Sequence, residues 1–458
     1  MFRKIYTILF FLGLFFFSFN EYEGISLLGE FKTESGAIFL FLGFLFVIIE
    51  SLFTKKIYLP YKSFIFQLIF LFLIWCLIST LLNGTSVIEN YFKHTNGINR
   101  FIRQYFALCL SCIFFFLLYW NVLLKMDIKT ILFSIRKVFL LSLIVAAIYG
   151  FLEILVTSFG MSFLFPILKL LDYLPFIEVS LHQNRISSIA YEPPFLAIYL
   201  ITIAGWMFSY VLTEKGFLRF VPMIVIMLLT FFSGSRTGLV VVFLQLLIFA
   251  FILYKYYNFK RYIVYSFFVL ISFSSILLIL NREKVTKAVS DKIETLDFRG
   301  NLKNNISNQS RFGMQYASLK VFSENPFIGV GFGQQAYYNR NHYPIWATNK
   351  NYEFELLYKN KKERQFPPGY NIYTRILAET GLIGFLIFIS LIYFSIKKSK
   401  DCIKNSSGEK KILSVILLIS LTGLFINWLQ IDTFRMYGVW LFLAILIKVS
   451  QDTALKHE

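Results

Sequence analysis

Residues 63–82 read SFIFQLIFLFLIWCLISTLL, twenty positions without a charged side chain. At 1.5 Å per residue an α-helix of that length is about 30 Å long, which matches the thickness of a bilayer hydrocarbon core. Lys62 stands directly before the run and Asn83-Gly84 directly after it. In hydrocarbon every backbone N–H and C=O must be satisfied within the protein, and a helix does this within one segment. The stretch reads as a membrane-spanning helix.

Runs of the same kind recur at 4–20, 36–53, 104–123, 134–157, 195–212, 218–233, 237–256, 262–280, 372–395, 412–430 and 434–449. Apolar residues make up 57% of the 458 positions, more than a water-facing surface can cover. The expected fold is an all-α polytopic membrane protein with about twelve transmembrane helices and one large extracytoplasmic loop. Three regions follow. Residues 1–280 hold helices one to nine with short loops and an outer segment at 158–194. Residues 281–371 form the large basic loop, and 372–458 hold helices ten to twelve and a cytoplasmic tail. Arg3, Lys4 and the run Ile5 to Phe17 imitate a signal peptide, but Asn20-Glu21-Tyr22-Glu23 follows where a small-x-small cleavage site would stand. A retained first helix is expected.

The net charge of +19 would point to nucleic acid in a water-soluble chain. Here it has another use. With Arg3 and Lys4 inside, the alternate gaps hold Lys55-Lys56 with Lys62, then Lys125, Lys129, Arg136 and Lys137, then Lys215 and Arg219, then Lys255, Lys260 and Arg261, and finally Lys397 to Lys411. This is the positive-inside bias, with both termini cytoplasmic and no nucleic-acid partner. The opposite gaps hold the acidic segment Glu21 to Glu34, short polar turns and two long stretches. In the first, Phe163 to Phe176 is too short to span and is interrupted by Pro166 and Pro175, which suggests an interfacial or re-entrant piece. The second, from Asn281, carries 14 Lys+Arg against 8 Asp+Glu up to Tyr370, and long loops translocate regardless of charge. Within it Asn281 to Leu296 reads as an amphipathic helix, Asn301 to Ser310 as irregular, and Gln315 to Phe322 as a short helix ended by Glu324-Asn325-Pro326. Cys109 and Cys112 form C-x-x-C on a membrane helix and read as two small helix residues rather than a redox or metal pair.

Ionised residues at membrane depth cost about 2.5–3.5 kcal/mol near a helix centre, so those near spans need a reason. Arg236 sits on the tight outer turn Ser233-Gly234-Ser235-Arg236-Thr237-Gly238 between two spans. Arg185, in His182-Gln183-Asn184-Arg185, precedes the sixth span on the same face, with Glu192-Pro193-Pro194 after it. Arg311 lies in the large loop, and Arg375 and Glu379 enter the tenth span four residues apart, a spacing that lets them pair. Each arginine alone could simply snorkel to lipid headgroups. Several on one face favour a phosphorylated lipid headgroup, because a planar guanidinium grips phosphate in two places. There is no Asp-x-Asp and no close outer group of Asp, Glu and His, so no metal and no cofactor is expected. Gly329-Val330-Gly331-Phe332-Gly333 follows Asn325-Pro326 rather than a buried strand, and reads as a tight turn with close backbone approach. His342 is a solvated loop histidine or a general base.

In this order the pieces resemble the O-antigen polymerase and O-antigen ligase superfamily over roughly 180–390. The resemblance rests on Arg185 with Glu192-Pro193, on Gly234-Ser235-Arg236 opening a span, and on Ser310-Arg311. It continues through Asn325-Pro326-Phe327-Ile328-Gly329-Val330-Gly331-Phe332-Gly333 and Asn371 with Leu377-Ala378-Glu379-Thr380-Gly381-Leu382-Ile383-Gly384. It implies a GT-C-like glycosyltransferase of the bacterial inner membrane, acting at the outer face on undecaprenyl-pyrophosphate-linked oligosaccharide, with membrane lipid and a chain-length regulator as partners. By resemblance Arg236 and Arg311 hold the pyrophosphate, with Arg185 a further candidate. Asn371, Arg375, Glu379 and Gly331 join them as substrate-binding candidates, and His342, Glu192 and Tyr370 are the alternatives for the base. Ligases of this superfamily usually carry His directly before the asparagine matched by Asn371. This chain has Tyr370 there, which favours a polymerase of oligosaccharide repeat units over the ligase that transfers finished polymer to lipid A-core. A flippase or other transporter would spread charge through both leaflets, whereas here it gathers on one face; a channel or scaffold has no sequence feature in its favour.

Overall fold

The computed structural model describes residues 2–20, 30–31, 33–173, 181–182, 185–257 and 305–454. The helices are α1 (Phe2–Phe15), α2 (Ser35–Thr54), α3 (Phe64–Leu82), α4 (Gly84–Glu89), α5 (Gly97–Leu124), α6 (Ile128–Thr157), α7 (Phe165–Lys169), α8 (Pro193–Thr213), α9 (Val221–Phe232) and α10 (Arg236–Tyr256). After the large loop's α11 (Ile306–Glu324), α12 (Gln335–Asn339) and α13 (Ile345–Thr348) come α14 (Ile372–Asn405), α15 (Gly408–Asn427) and α16 (Tyr437–Ala454). Among the described residues seven helices are long and apolar enough to cross a membrane: α2, α3, α5, α6, α8, α10 and α14. The segments expected at 262–280 and 281–296 lie outside the described residues.

The basic gaps come together at one end. Arg3 donates to the Lys125 carbonyl at 3.2 Å, Lys125 pairs with Glu50 at 3.8 Å, and Lys448 reaches the Leu124 carbonyl at 3.5 Å. Arg136 pairs with Glu214 at 3.2 Å, and Lys411 lies over the rings of Tyr256 and Tyr257. The remaining gaps and the large loop share the opposite end, where Arg435 pairs with Glu34 and Arg103 with Glu30, both at 3.1 Å. α15 packs against α8, α10 and α14 in the middle of the bundle. Gln245 of α10, fully buried, donates to the carbonyls of Ile201 on α8 and Ile419 on α15 at 2.9 and 3.2 Å, and so joins three helices.

Two local readings need correction. The asparagine-rich stretch before Arg311 is helical from Ile306, not irregular to Ser310, because the Asn305 side chain accepts from the Asn308 N–H and caps the helix. Arg311 therefore sits on a helix of 19 residues rather than ahead of a short one. The all-α expectation also misses a small antiparallel hairpin, β1 (Tyr91–Phe92) with β2 (Thr95–Asn96), whose turn residues Lys93 and His94 have positive φ. Lys93 is buried and donates to the carbonyls of Leu357 and Glu363, tying the hairpin to the large loop. The piece at 163–176 is short helical structure as far as Tyr173, with Pro166 in the first turn of α7, and nothing there is long enough to span.

The large loop is docked through a break in α14. Gly381 has φ 65° and ψ −167°, a region open essentially to glycine alone. At the break the N–H groups of Leu382 and Ile383 turn from the helix to the carbonyls of Pro326 and Phe327. The carbonyls they abandon, Ala378 and Glu379, accept instead from Val330 and Gly331 at 3.0 and 2.9 Å. α3 adds Ser79 to the Ile328 carbonyl at 2.7 Å, Asn83 to Gly329 at 3.1 Å, and Trp75 to Thr380 at 2.9 Å. The glycine-rich segment is thus the close backbone approach that its composition suggests. A Cβ on Gly381 would stand 2.2 Å from the Phe327 oxygen. Gly381→Ala should cost about 1–3 kcal/mol from the backbone conformation alone. It should also lower the thermal midpoint of the detergent-purified protein and speed proteolysis near Asn325; an unchanged midpoint would mean the joint carries no such constraint.

Candidate functional site

At the end opposite the basic gaps, the starts of α8, α10 and α11 and the turn after α15 surround a cleft of about 590 Å³. Arg185, Arg236 and Arg311 all line it, and no carboxylate does among the described residues. Three arginines from separate stretches of the chain meet in one place.

Each is held by its own local structure. Arg185 forms an isolated bridge with His182 and donates from Nε to the Ser233 carbonyl at 3.0 Å. That contact needs Gly234, whose φ is +62° and where a Cβ would stand 3.0 Å from the Arg185 side chain. Arg236 is the first residue of α10, directly after the cap Ser235, whose hydroxyl accepts from the Gly238 N–H. Arg311, one turn into α11, donates to Gln430 Oε1 at 3.1 Å, and its guanidinium carbon lies 5.5 Å from the centre of the Tyr370 ring. Its Nε is buried and makes no hydrogen bond among the described groups. Burial and the positive charges of Arg236 and Arg311 push the Arg185 pKa down, while Glu192 opposes them. The cleft is therefore a region of positive potential whose charges repel one another when it is empty, and an anion relieves that repulsion.

The other candidates are placed differently. Glu192 occupies the N-cap position of α8, exposed and without a side-chain capping bond, two residues before the cleft-lining Pro194. Tyr370 has φ 57° and its hydroxyl is 2.6 Å from that of Tyr358, which also donates to Glu353 at 3.0 Å. Burial raises the Tyr370 pKa. His342 pairs with Glu324 at 3.2 Å. Glu324 ends α11, thirteen residues after Arg311, or about 20 Å along the helix, so His342 is not brought to the cleft. Gly331 belongs to the joint with α14, where its N–H bonds the Glu379 carbonyl.

Arg375 and Glu379 pair at 3.1 Å, both buried, as their spacing predicts. Arg375 also donates to the Asp432 carbonyl at 2.7 Å and to Gln104 at 2.9 Å. It faces a second cavity rather than the three-arginine cleft. Among the described residues no three His, Cys, Asp or Glu side chains gather as a metal site. Sequence reasoning missed Gln430, Asn427 and Ser307, which line the cleft. Gln430 and Asn427 are brought beside the arginines by the end of α15, which no local pattern reveals, and Ser307 stands one turn before Arg311 on α11.

Asn371 caps α14: its Oδ1 accepts from the N–H groups of Tyr373 and Thr374, and its Nδ2 donates to Gln315 of α11 at 3.3 Å. Residues 221–389 match the family described as O-Antigen ligase, a similarity consistent with the O-antigen polymerase and ligase superfamily. The match includes Arg236, Arg311, Tyr370, Asn371, Arg375 and Glu379 and stops short of Arg185 and Glu192. No curated protein matches the chain. Asn371→Ala should lower stability by about 1 kcal/mol through loss of the cap, and Asn371→Ser, an equally good capping residue, should recover most of it. Thermal unfolding of the purified variants checks this, and equal loss in both would place the role of Asn371 outside capping.

Proposed function

We propose that this chain, with its O-antigen ligase-type domain at 221–389, is a polysaccharide polymerase of the bacterial inner membrane. It spans the membrane about twelve times with GT-C-like architecture, keeps both termini in the cytoplasm, and presents the large loop to the periplasm. The donor is a growing glycan on undecaprenyl pyrophosphate and the acceptor is a new lipid-linked repeat unit. A chain-length regulator is its expected partner. The observation that carries this reading is the convergence of Arg185, Arg236 and Arg311 on one cleft that no carboxylate lines among the described residues.

The chemistry asks little beyond positive charge in the right place. An acceptor hydroxyl attacks the anomeric carbon of the donor and the C–O bond to pyrophosphate breaks. The bonding pair leaves with undecaprenyl pyrophosphate, and the hydroxyl proton passes to a base. Charge grows on the leaving pyrophosphate as the bond lengthens. Fixed guanidinium groups that already repel one another stabilise that growth without reorganising. The free Nε of Arg311 and the two-point grip of a guanidinium suit the phosphate oxygens. Glu192 is the proton acceptor we favour, because it is exposed, makes no side-chain capping bond, lies two residues before the cleft-lining Pro194 and interacts electrostatically with Arg185. The Tyr370 hydroxyl is engaged with Tyr358 and His342 with Glu324.

Arg236→Ala and Arg311→Ala should each cut transfer by about 10²–10³-fold, the size expected for removing one preorganised charge donor, while insertion and folding persist. The readout is a gel of surface polysaccharide beside extracted lipid-linked sugars. Collapse of the ladder to one repeat unit on core supports the polymerase. Bare core with long polymer stranded on its carrier would identify the ligase that the family description names. A full ladder from either variant would overturn the site. Glu192→Gln should lose about 10²-fold or more, as for a general base, whereas Tyr370→Phe should retain most transfer; the reverse order would give the base role to Tyr370.

A further inference from the structure

The second cavity, about 640 Å³, lies behind the turn that joins α15 to α16. Ile431 lines the three-arginine cleft and the next residue, Asp432, lines this one, so a single strand of backbone separates them. Five arginines line it: Arg100 and Arg103 from α5, Arg364 from the large loop, Arg375 from α14, and Arg435 from the turn before α16. The lining carboxylates are Glu30 and Asp432 among the described residues.

Three of the five positive charges are matched. Arg103 pairs with Glu30, Arg435 with Glu34, and Arg375 with Glu379, each at 3.1 Å. Asp432 spends one carboxylate oxygen on the Gly369 N–H at 2.7 Å. Among the described residues Arg100 and Arg364 have no carboxylate partner. Arg364 is exposed, whereas Arg100 is 6% exposed. Arg100 donates from Nε to the Gly333 carbonyl at 2.6 Å and stacks on the Phe366 ring, its guanidinium carbon 3.7 Å from the ring centre. Among the described residues that leaves its two terminal nitrogens without a hydrogen-bond partner, on a residue that lines the cavity. Those nitrogens open into the cavity, and a ring platform and a carbonyl fix the plane in which they present their donors. The arrangement is built for a ligand that brings oxygens and negative charge.

We propose that this cavity is a second phosphate-binding site, with Arg100 as its central ligand and Arg364 at its mouth. It takes a phosphate or pyrophosphate group, which either a lipid-linked sugar or a free anion supplies. On the polymerase reading, on which this identification of the occupant rests, it holds the pyrophosphate of the acceptor while the donor's lies in the neighbouring cleft. The phosphate site itself stands without that reading.

The test is binding of inorganic pyrophosphate to the full-length protein in detergent, by calorimetry. Two equivalents are expected for the wild type and one for the Arg236→Ala/Arg311→Ala protein. Arg100→Gln and Arg364→Gln should each weaken the second equivalent, Arg100→Gln by about ten- to a hundred-fold, the range for one charge-assisted hydrogen bond pair. Arg364 is exposed, so its variant reports even where Arg100→Gln does not fold. A wild type that binds one equivalent, removed by Arg236→Ala/Arg311→Ala, overturns the proposal, as does unchanged binding in both glutamine variants. Loss of the first equivalent alone leaves the second site intact, which separates this result from failure of the polymerase reading. Undecaprenyl pyrophosphate in nanodiscs, added to the Arg236→Ala/Arg311→Ala protein, then assigns the source. Tighter binding than inorganic pyrophosphate means a lipid-linked occupant, equal or weaker binding means the free anion, and no binding of either probe overturns the site.

Discussion

The break in α14 at Gly381 is where the membrane helices and the large loop become one structure. A helix that stops within an apolar bundle leaves N–H and C=O groups that must find partners. Here two helical bonds are exchanged for four to the 326–331 segment, and α3 adds side-chain donors to the carbonyls of the same segment. The exchange fixes the segment that follows α11, and with it the helix that carries Arg311. It also fixes the first turns of α14, where Arg375 and Asn371 stand. Both cavities therefore inherit their geometry from one backbone joint, permitted by Gly381 on one side and by Gly329, with φ +68°, on the other.

Much of this could be read from the chain before any coordinates. Apolar run length marked where helices lie, and alternating charge marked which gaps share an end, because both follow from the local cost of polar groups in hydrocarbon. The i, i+4 spacing of Arg375 and Glu379 revealed their pairing for the same reason of local geometry. The three-arginine cleft was legible as a set of residues on one face. What stayed hidden depends on contacts distant in sequence. Asn305 looks like a loop residue until its side chain is seen to cap α11. Gln430 is unremarkable until the α15 turn sets it against Arg311. The second cavity was invisible because the pair Arg100 and Arg103, Arg364 and Arg435 fall in three separate stretches, where each passes for the polar end of a span or a loop charge.

The two cavities differ in how their charge is balanced, and the difference has a physical consequence. In the first, no carboxylate among the described residues lines the wall, and burial together with the charges of Arg236 and Arg311 lowers the Arg185 pKa. In the second, most of the arginines are paired and one buried guanidinium is left with free donors. A site that must stabilise charge as it develops works best when it is under-neutralised, since the free energy then falls further as negative charge grows. A site that only holds an anion of constant charge, and must let it go, works best when it is nearly balanced. Otherwise desolvation and Coulomb attraction together would make release too slow.

The one-residue step from Ile431 to Asp432 ties these two environments together. The α15–α16 turn is anchored on one side by Arg311 through Gln430 and on the other by Arg375 through the Asp432 carbonyl. Movement of the turn toward either cavity stretches a bond to the other, so an anion that draws Arg311 or Arg375 out of its contact changes the strain at its neighbour. Arg375 is held in addition by Glu379 and Gln104, while Arg311 has its single bond to Gln430 and an unsatisfied Nε. Of the two, Arg311 is the freer to follow a ligand. The turn itself is held on the cleft side as well, where the Ile372 N–H bonds the Trp428 and Ile431 carbonyls at 3.0 Å, so the wall between the two cavities is pinned from both faces.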